Sequence, residues 1–359
     1  MKVYRIGLIG AGWIAESKHI PCIGRMPNAV VAAICDKKPE KAHKLIDMFH
    51  LENVDVYSDY MEMLKDESLD IIHVLTPNPL HCEMTVNALK AGKHVLVEKP
   101  MACTKADCDL MIRTAKEMGK KLTVGFNWRY RPEAQYVKRM CESGELGEIY
   151  YAKAHSVRYR AVPYWGELIT GNNGGGILID GAPHSLDLVL WCINNYEPLS
   201  VKANTYNKMK GNPEGNMWPA WPEEEFNVED SGIALITMKN GATIVLEAAW
   251  LMNMLSIDNT ATIVGTKAGI DMHGPHKVRV NGVKCGKPYI LEPDLMEQLP
   301  PIPLVVREPD PGMREIIEWL GCIENDTEPY VKPEQAAVVS QIIEGIYKSA
   351  STGKEVFFD

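Results

Sequence analysis

This 359-residue sequence lacks long hydrophobic runs and an export signal. No stretch of 18 or more apolar residues could span a bilayer. The N-terminus does not show the charged, apolar and small-residue order of a signal peptide. These absences exclude membrane-spanning and secreted classes, and we expect a cytoplasmic protein.

The sequence also lacks a concentration of positive charge. Lys and Arg number 38 against 47 Asp and Glu, which gives a formal net charge of −9. Acids and bases are interspersed, so no basic stripe is available for nucleic acid or for an anionic membrane surface. We expect neither partner.

Paired cysteines are missing as well. The nine cysteines are scattered, odd in number and without a Cys-x-x-Cys pair. This pattern suits reduced thiols in a reducing compartment and argues against a structural zinc site or a disulfide framework. We predict no metal site.

The first part of the chain alternates short apolar runs with amphipathic stretches. The runs, which predict strands, are 6–9, 30–35, 71–75, 94–97 and 122–124. The stretches between them, which predict helices, are 14–26, 39–49, 60–65, 79–91 and 104–118. Such alternation is typical of a doubly wound parallel sheet. We predict an α/β protein whose N-terminal Rossmann domain spans residues 1–125.

The remainder, residues 126–359, follows a different rhythm, and the chain length also suggests two domains. Longer strand-like segments, 148–158, 200–206, 231–238, 242–250 and 259–264, predict a large, mostly antiparallel sheet. Helical stretches near 131–142, 183–194, 312–324 and 333–351 would cover one face of it, giving a C-terminal α+β domain. Residues 208–227 and 285–311 are predicted to be long loops.

A glycine-rich turn follows the first predicted strand, where Gly10, Gly12 and Ala15 stand in the order Gly-x-Gly-x-x-Ala. These residues allow a tight turn, approach of backbone N–H groups to a pyrophosphate and close helix–strand packing. Asp36 follows 21 residues after Ala15, near the spacing of an acid that binds both hydroxyls of a ribose. Because its charge would repel a 2′-phosphate, NAD is favoured over NADP. A turn aspartate beside two lysines is the alternative.

Lys99 lies at the end of the fourth predicted strand, within Glu98-Lys99-Pro100. Open α/β sheets bind ligands at the carboxyl ends of their strands. Pro100 restricts Lys99 to an extended backbone, and a buried lysine beside a cationic nicotinamide should have a lowered pKa, which suits proton transfer near neutral pH. An ordinary surface lysine is the alternative.

A segment near mid-chain places an acid and a histidine four residues apart, after three consecutive glycines at 174–176. Pro183 is tolerated only in a first helical turn, so Asp180 lies at or just before the helix cap and His184 one turn along. Three interpretations stay open. The pair could cap a helix around a core histidine, ligate a metal for which no fourth ligand is evident, or form an oriented general acid/base.

Taken together, these motifs resemble the Gfo/Idh/MocA family of oxidoreductases. Residues 76–81 and 125–132 look like further segments of that family, and the resemblance covers nearly the whole chain. One departure is Ala182, where relatives usually have glycine. This change could alter the entry into the helix but touches no catalytic group.

The resemblance implies hydride transfer between a secondary carbinol carbon of a sugar or cyclitol and nicotinamide. It makes His184 the base, Lys99 the hydrogen-bond donor or proton relay and Asp180 the group that orients the neighbouring hydroxyl, although Lys99 and His184 could exchange roles. Together with the glycine turn, it implies a cofactor site made of Gly10, Gly12, Trp13, Ile14, Asp36, Thr76, Pro77, Asn78, His81, Glu98, Lys99 and Asn127.

Aromatic faces beside polar side chains suit a carbohydrate, although such rings also fill cores and dimer interfaces. Arg129, Trp218 and Trp221 belong to this wider set. Family members with a long Trp-rich loop look like sugar or glycoside dehydrogenases, which favours oxidation of a pyranose ring hydroxyl. The substrate-binding residues predicted are Lys99, Asn127, Arg158, Tyr159, Trp165, Asp180 and His184.

Two other functions stay open at this point. Some relatives oxidise a sugar transiently, eliminate or exchange a substituent and reduce it again, without releasing NADH. A non-catalytic NAD-binding regulator is the third possibility, and the presence of Lys99, Asp180 and His184 argues against it. Because relatives form dimers and tetramers through the antiparallel sheet, a homo-oligomer is also predicted.

Overall fold

A computed structural model describes residues 2–164, 168–254, 259–274, 277–295 and 310–358. The described residues divide into two compact units. The first contains the chain up to Asn127 together with the segment that ends at Ala337, and the second contains residues from Trp128 onward and from Val338 to the end. The predicted boundary at 125/126 is close to the first division, but a later part of the chain returns to the first unit.

A six-stranded parallel sheet forms the centre of the first unit, in the order β3-β2-β1-β4-β5-β6. This order is that of a dinucleotide-binding sheet. The strands are β1 Tyr4–Ile9, β2 Ala29–Cys35, β3 Asp55–Tyr57, β4 Ile71–Val74, β5 His94–Val97 and β6 Leu122–Val124. Sequence reasoning missed β3, which has three residues and none fully buried. Glu98-Lys99-Pro100 therefore follows the fifth strand rather than the fourth.

Helices connect these strands near the predicted positions. They are α1 Ile20–Ile23, α2 Pro39–Phe49, α3 Tyr60–Met63, α4 His81–Lys90 and α5 Lys105–Met118. A π-helical turn, Ala15–His19, precedes α1. Local chemistry fixes the ends of α5, since the Thr104 hydroxyl accepts a hydrogen bond from the Asp107 N–H and Gly119 ends the helix in the left-handed region.

Helix α9, Pro311–Glu324, belongs to the first unit, which corrects the prediction that residues 312–324 cover the second sheet. Met313, Ile316 and Trp319 share one hydrophobic cluster with residues of β1 and α1, including Leu8 and Ile20. An amphipathic pattern shows that a helix has an apolar face, but it does not tell which sheet that face covers.

A nine-stranded sheet forms the centre of the second unit, in the order β14-β13-β12-β11-β7-β10-β9-β8-β15. Only β7 and β10 are parallel neighbours, so the sheet is mostly antiparallel, as predicted. The strands are β7 Ile149–Val157, β8 Pro198–Tyr206, β9 Ser231–Met238, β10 Thr243–Ala249, β11 Asn259–Gly265, β12 Ala268–His273, β13 Val278–Lys284, β14 Lys287–Leu291 and β15 Val356–Phe357.

The other helices are α6 Pro132–Glu142, α7 Ile177–Asp180, α8 Ala182–Ile193 and α10 Pro333–Thr352. Helix α8 packs on β7, β10 and β11. Between β8 and β9 the chain forms the predicted long loop, with one short 3₁₀ turn at Glu223–Glu225. The predicted loop at 285–311 is wrong in its first part, where β14 pairs with β13, and residues 296–309 lie outside the described residues.

Candidate active site

The glycine turn connects β1 to the helical segment that follows it. Gly10 has a φ of +108°, and a Cβ there would lie 2.6 Å from the Leu75 carbonyl oxygen, so only glycine fits. Asp36, at the end of β2, joins this turn because its Oδ2 accepts a hydrogen bond of 3.0 Å from the Ala11 N–H. Its Oδ1 accepts another, of 2.9 Å, from the Lys38 N–H.

This geometry fits a dinucleotide. Apart from Gly12 and the residues next to it in the chain, no described residue comes within 4 Å of the position that a Cβ would take at Gly12, so there is open space there that a pyrophosphate could occupy. Each Asp36 oxygen accepts one backbone N–H and keeps a lone pair for a ribose hydroxyl. Trp13 is exposed and Ile14 half-buried at the start of the same helical segment.

The segment after β4 contains four of the predicted cofactor residues. Thr76 is half-buried, Pro77 is exposed and Asn78 is buried. His81 is buried, with Nδ1 2.8 Å from the Pro100 carbonyl oxygen and Nε2 2.8 Å from the Thr76 carbonyl oxygen. Its ring therefore joins the turn after β4 to the turn after β5, and a contact with the cofactor stays a prediction.

Glu98 lies at the centre of a buried polar cluster. Its Oε1 is 2.7 Å from the Lys18 Nζ and 3.0 Å from the His19 Nε2, while its Oε2 accepts a hydrogen bond from the Lys99 N–H. Lys18 also lies 2.6 Å from Glu315 of α9. Since its carboxylate is held within the unit, Glu98 supports the backbone that carries Lys99, and its predicted place in the cofactor lining is untested.

Burial and charge determine the protonation of this cluster. Burial lowers the pKa of Lys18, but the carboxylates of Glu315 and Glu98 outweigh it and raise that pKa above its ordinary value. Burial and the Lys18 charge lower the pKa of His19 to about 4, so its imidazole is neutral at pH 7. Burial raises the pKa of Glu315 to about 7. The charge of Lys18 and the His19 hydrogen bond hold the pKa of Glu98 well below its ordinary value. Lys18 thus faces an ionised carboxylate on Glu98 and one on Glu315 that titrates near neutrality.

Lys99 is half-buried at the carboxyl end of β5, and its peptide bond to Pro100 is cis. Asn127 is half-buried at the end of the first unit. Both residues thus retain surface that a ligand could contact. The sequence correctly placed Lys99 at a strand end, although it counted one strand too few.

The second unit holds Asp180 and His184 at the junction of α7 and α8. Asp180 is the last residue of α7, Gly181 caps α8 and Pro183 lies in its first turn, as the sequence predicted. The Asp180 Oδ2 accepts a hydrogen bond of 3.2 Å from the Trp250 indole N–H. Both side chains are half-buried, which leaves them part of their surface for a ligand.

Trp128 is a site residue that sequence reasoning did not single out. Its ring stacks on the His184 imidazole, with centroids 5.0 Å apart and planes 14° apart. The Arg131 guanidinium carbon lies 4.0 Å from the centroid of the Trp128 ring. The stacking on Trp128 restrains the plane of the imidazole. The sequence indicated Trp128 only as part of segment 125–132, which resembles the family. It could not indicate the stacking, because His184 is 56 residues away.

The predicted substrate residues separate into different environments. Arg158 follows β7, where its N–H bonds to Ala249 of the parallel strand β10, and it is half-buried. Tyr159 is exposed beside it, and Trp165 lies outside the described residues. Arg158 thus lies at the same strand ends as Trp250, which follows Ala249 and contacts Asp180.

Two other residues of the wider set are structural. Arg129 is fully buried and makes a two-point ion pair with Asp187, with N–O distances of 2.9 and 2.6 Å. Trp221 is buried against Phe226 and donates its indole N–H to the Lys210 carbonyl oxygen. Neither is available to bind a sugar.

Comparison with known proteins agrees with this geometry. The family model described as the oxidoreductase family with an NAD-binding Rossmann fold matches residues 4–126, and the model of the GFO/IDH/MocA C-terminal domain matches residues 134–271. The chain belongs to the Gfo/Idh/MocA family of oxidoreductases. The predictions of an oxidoreductase, an NAD cofactor and this α/β fold are confirmed for this family member.

Among characterised relatives, the D-glucoside 3-dehydrogenase of Escherichia coli K12 is 28% identical over 355 residues, covering 98% of this chain and 97% of its own. The inositol 2-dehydrogenase/D-chiro-inositol 3-dehydrogenase of Lactiplantibacillus plantarum is 27% identical over 248 residues, 68% of this chain and 65% of its own. A levoglucosan dehydrogenase solved with NADH and L-sorbose has a TM-score of 0.82 at 24% identity, with all of both chains covered.

Other site types have no support in the described part of this oxidoreductase. No group of three or more His, Cys, Asp or Glu there has an arrangement that could hold a metal ion. Within the same residues, no helix combines the length and the apolar character that crossing a membrane requires.

Proposed function

We propose that this oxidoreductase transfers a hydride between a ring secondary alcohol of a pyranose sugar or glycoside and NAD. The observation that carries this proposal is the pair Asp180 and His184, which flank the start of α8 with Trp250 against the first and Trp128 against the second. Full-length similarity to a glucoside dehydrogenase favours a pyranoside over a cyclitol.

NAD would be held mainly by the turn after β1 and by Asp36. The backbone at Gly12 would face the pyrophosphate, and the Asp36 carboxylate would accept hydrogen bonds from the adenosine ribose. Thr76, Pro77, Asn78 and Asn127 complete the proposed contacts. When bound, NAD supplies the acceptor for the hydride that leaves the carbinol carbon.

The chemistry assigned to the protein is acid–base catalysis. His184 takes the hydroxyl proton on a ring nitrogen, and Trp128 holds the imidazole plane while it does so. Lys99 donates a hydrogen bond to the developing alkoxide, and Asp180 accepts one from the neighbouring hydroxyl. Lys99 and His184 could exchange the first two roles, and the pH profile of each variant separates them.

Sugar binding is assigned to polar and aromatic groups. Arg158 and Tyr159 lie at the end of β7, next to the strand that leads to Trp250. Their guanidinium and ring faces suit hydroxyls and C–H faces, respectively. Trp165 is proposed as a further contact.

We further propose that the protein is a homo-oligomer. Its subunits pair through the outer face of the nine-stranded sheet, which is the face that carries the exposed side chains of Ile233 and Leu235. On β9 the side chains alternate between buried and exposed, and Ile233 and Leu235 expose 39% and 50% of their surface. Apolar side chains repeated on one sheet face are typical of an interface.

The assignment is tested by measuring NADH formation with Lys99→Ala, Asp180→Asn and His184→Asn. Removal of a general acid or base lowers kcat about 10²–10⁴-fold, and NAD binding should persist in the last two variants. Lys105→Ala, which removes a half-buried lysine paired with Asp109 in the unit that contains Lys99, is the control and should stay within twofold of wild type. Full activity of all three variants would overturn the proposal.

A further inference from the structure

The glycine run 174–176 is not explained by the roles assigned so far. Gly174 has a φ of +90°, and a Cβ on Gly176 would overlap the carbonyl oxygen of Glu229. A Cβ on Gly175 would overlap the hydroxyl of Tyr347. Positions 175 and 176 are therefore glycine because residues distant in sequence lie directly against their backbone, and Gly174 takes a left-handed φ.

Glu229 accepts several hydrogen bonds from this segment. Both of its carboxylate oxygens lie 3.0 Å from the Gly176 nitrogen, and Oε1 also accepts a bond of 3.0 Å from the Leu178 N–H. The Tyr347 hydroxyl of α10 donates to the same Oε1 at 2.8 Å. Burial raises the pKa of Glu229, and these donors oppose that rise. A carboxylate with this many donors is held in one position.

The same short segment positions Asp180. The Gly176 carbonyl oxygen accepts hydrogen bonds from the N–H groups of Ile179 and Asp180, at 3.2 and 3.0 Å. The Ile177 carbonyl oxygen accepts one of 2.9 Å from Gly181, which caps α8. A continuous set of hydrogen bonds thus leads from the Glu229 carboxylate to the backbone of Asp180.

We propose that Glu229 is a positioning residue, which holds the turn 176–180 so that the Asp180 carboxylate stays against Trp250 and meets the substrate hydroxyl. The role of Asp180 in this statement rests on the proposed function. In this role Glu229 acts through the backbone of the turn and not by contact with the substrate. The absence of side chains at Gly175 and Gly176 lets Tyr347 and Glu229 pack directly against the backbone of this segment.

Asp230 offers a matched control in the next position of the chain. Its Oδ2 accepts hydrogen bonds from the N–H groups of Lys208 and Met209, and its Oδ1 accepts one from the Ser231 hydroxyl. Like Glu229 it receives two backbone donors and one hydroxyl. Unlike that of Glu229, its side chain holds the start of the 208–227 loop and not the segment of Asp180. Its backbone carbonyl oxygen accepts the Trp250 N–H, and a side-chain substitution keeps that bond.

The test compares Glu229→Ala, Asp230→Asn and Asp180→Asn in the full chain. Kinetics with a glycoside should show kcat/KM at least tenfold lower in Glu229→Ala, through both a higher KM and a lower kcat, with an unchanged Kd for NAD. Asp230→Asn, which is matched to Glu229→Gln, should keep kcat/KM within twofold, and the Tm of each variant separates lost stability from lost positioning. Glu229→Gln, which keeps one acceptor oxygen, should recover part of the loss. If Glu229→Ala does not fold, Tyr347→Phe should show a smaller loss in the same direction.

A readout independent of turnover is the indole N–H resonance of Trp250 in a ¹⁵N spectrum, assigned with Trp250→Phe. Its shift should move in Glu229→Ala and stay in place in Asp230→Asn. An unmoved signal, or an equal loss of kcat/KM in both variants, would overturn the role of Glu229. Full activity of Asp180→Asn would instead overturn the proposed function, whatever the resonance shows.

Discussion

The Asp36 carboxylate ties the glycine turn to β2, and we propose that it also binds the ribose of NAD. Asp36→Asn keeps one acceptor oxygen but removes the charge that disfavours a 2′-phosphate. We expect the KM for NAD to rise about tenfold to a hundredfold, since hydrogen bonds to a charged group contribute about 1.5–3 kcal/mol. In the same variant, the KM for NADP should fall relative to the KM for NAD.

Asp70→Asn is the control for the structural part of this change. The Asp70 Oδ2 accepts a hydrogen bond of 3.0 Å from the Arg5 N–H, also in the first unit. In steady-state kinetics with both cofactors, this variant should keep the wild-type ratio of the KM for NAD to the KM for NADP. The same ratio in Asp36→Asn as in wild type would contradict the ribose assignment.

Trp128 provides a second test at the residue scale. Trp128→Leu removes the face on which His184 stacks, whereas Trp128→Phe keeps an aromatic face. We expect kcat to fall about tenfold in the first and less than threefold in the second, since such stacks contribute about 0.5–1.5 kcal/mol. Trp191→Phe changes another tryptophan that faces a cation and should keep the wild-type kcat. A wild-type kcat in Trp128→Leu would rule out the stack as a determinant.

At the scale of elements, the cluster of Lys18, Glu98 and Glu315 joins the turn after β1, the end of β5 and α9. Glu315 has a folded-state pKa of about 7 against an ordinary 4.5, so the folded chain keeps a proton that the unfolded chain releases in this range. Stability from this group therefore falls as pH rises from 4.5 to 7. Glu315→Gln removes that loss.

Urea unfolding at pH 5 and pH 8 measures this effect. Relative to wild type, Glu315→Gln should gain stability between the two pH values, by on the order of 1–3 kcal/mol. Glu98→Gln removes the firmly ionised partner of Lys18 and should cost about 3–5 kcal/mol at both. A difference between Glu315→Gln and wild type that does not change with pH would show that Glu315 is ionised throughout.

At the scale of the whole molecule, the proposed assembly depends on the outer face of the nine-stranded sheet. Replacing Ile233 and Leu235 by Asp places two charges on that face and should convert the proposed oligomer into monomers in sedimentation velocity runs. Leu110→Asp, at a position of α5 that is 37% exposed, is the control and should keep the wild-type sedimentation coefficient. A monomeric wild type would refute the assembly outright.

Much of the fold could be predicted from local patterns. Gly10, Gly12 and Asp36 lie close in sequence and each meets a demand of the same turn, so spacing alone located them. β3 was missed because a three-residue strand without a fully buried position has no apolar run. Helix α9 was assigned to the wrong sheet because its pattern does not name its partner.

The candidate site was predicted less completely, because its supports are long-range. Asp180 and His184 could be predicted because Pro183 marks the first turn of a helix and both residues lie close to it in sequence. The partners of Glu98, in contrast, are about 80 residues away in sequence for Lys18 and His19, and Glu229 is more than 50 residues from Gly176. No spacing rule connects such pairs, so only the folded backbone reveals them.

The central claim is that this chain oxidises a ring hydroxyl of a pyranoside with NAD. The most direct measurement is to identify any nucleotide that copurifies and then to follow NADH absorbance with methyl glucosides, free pyranoses and inositols, with and without added NAD. The account predicts sustained NADH formation with glycosides when NAD is added. A single stoichiometric burst on bound cofactor would indicate a redox-neutral or acceptor-coupled enzyme, and the absence of nucleotide binding would contradict the account altogether.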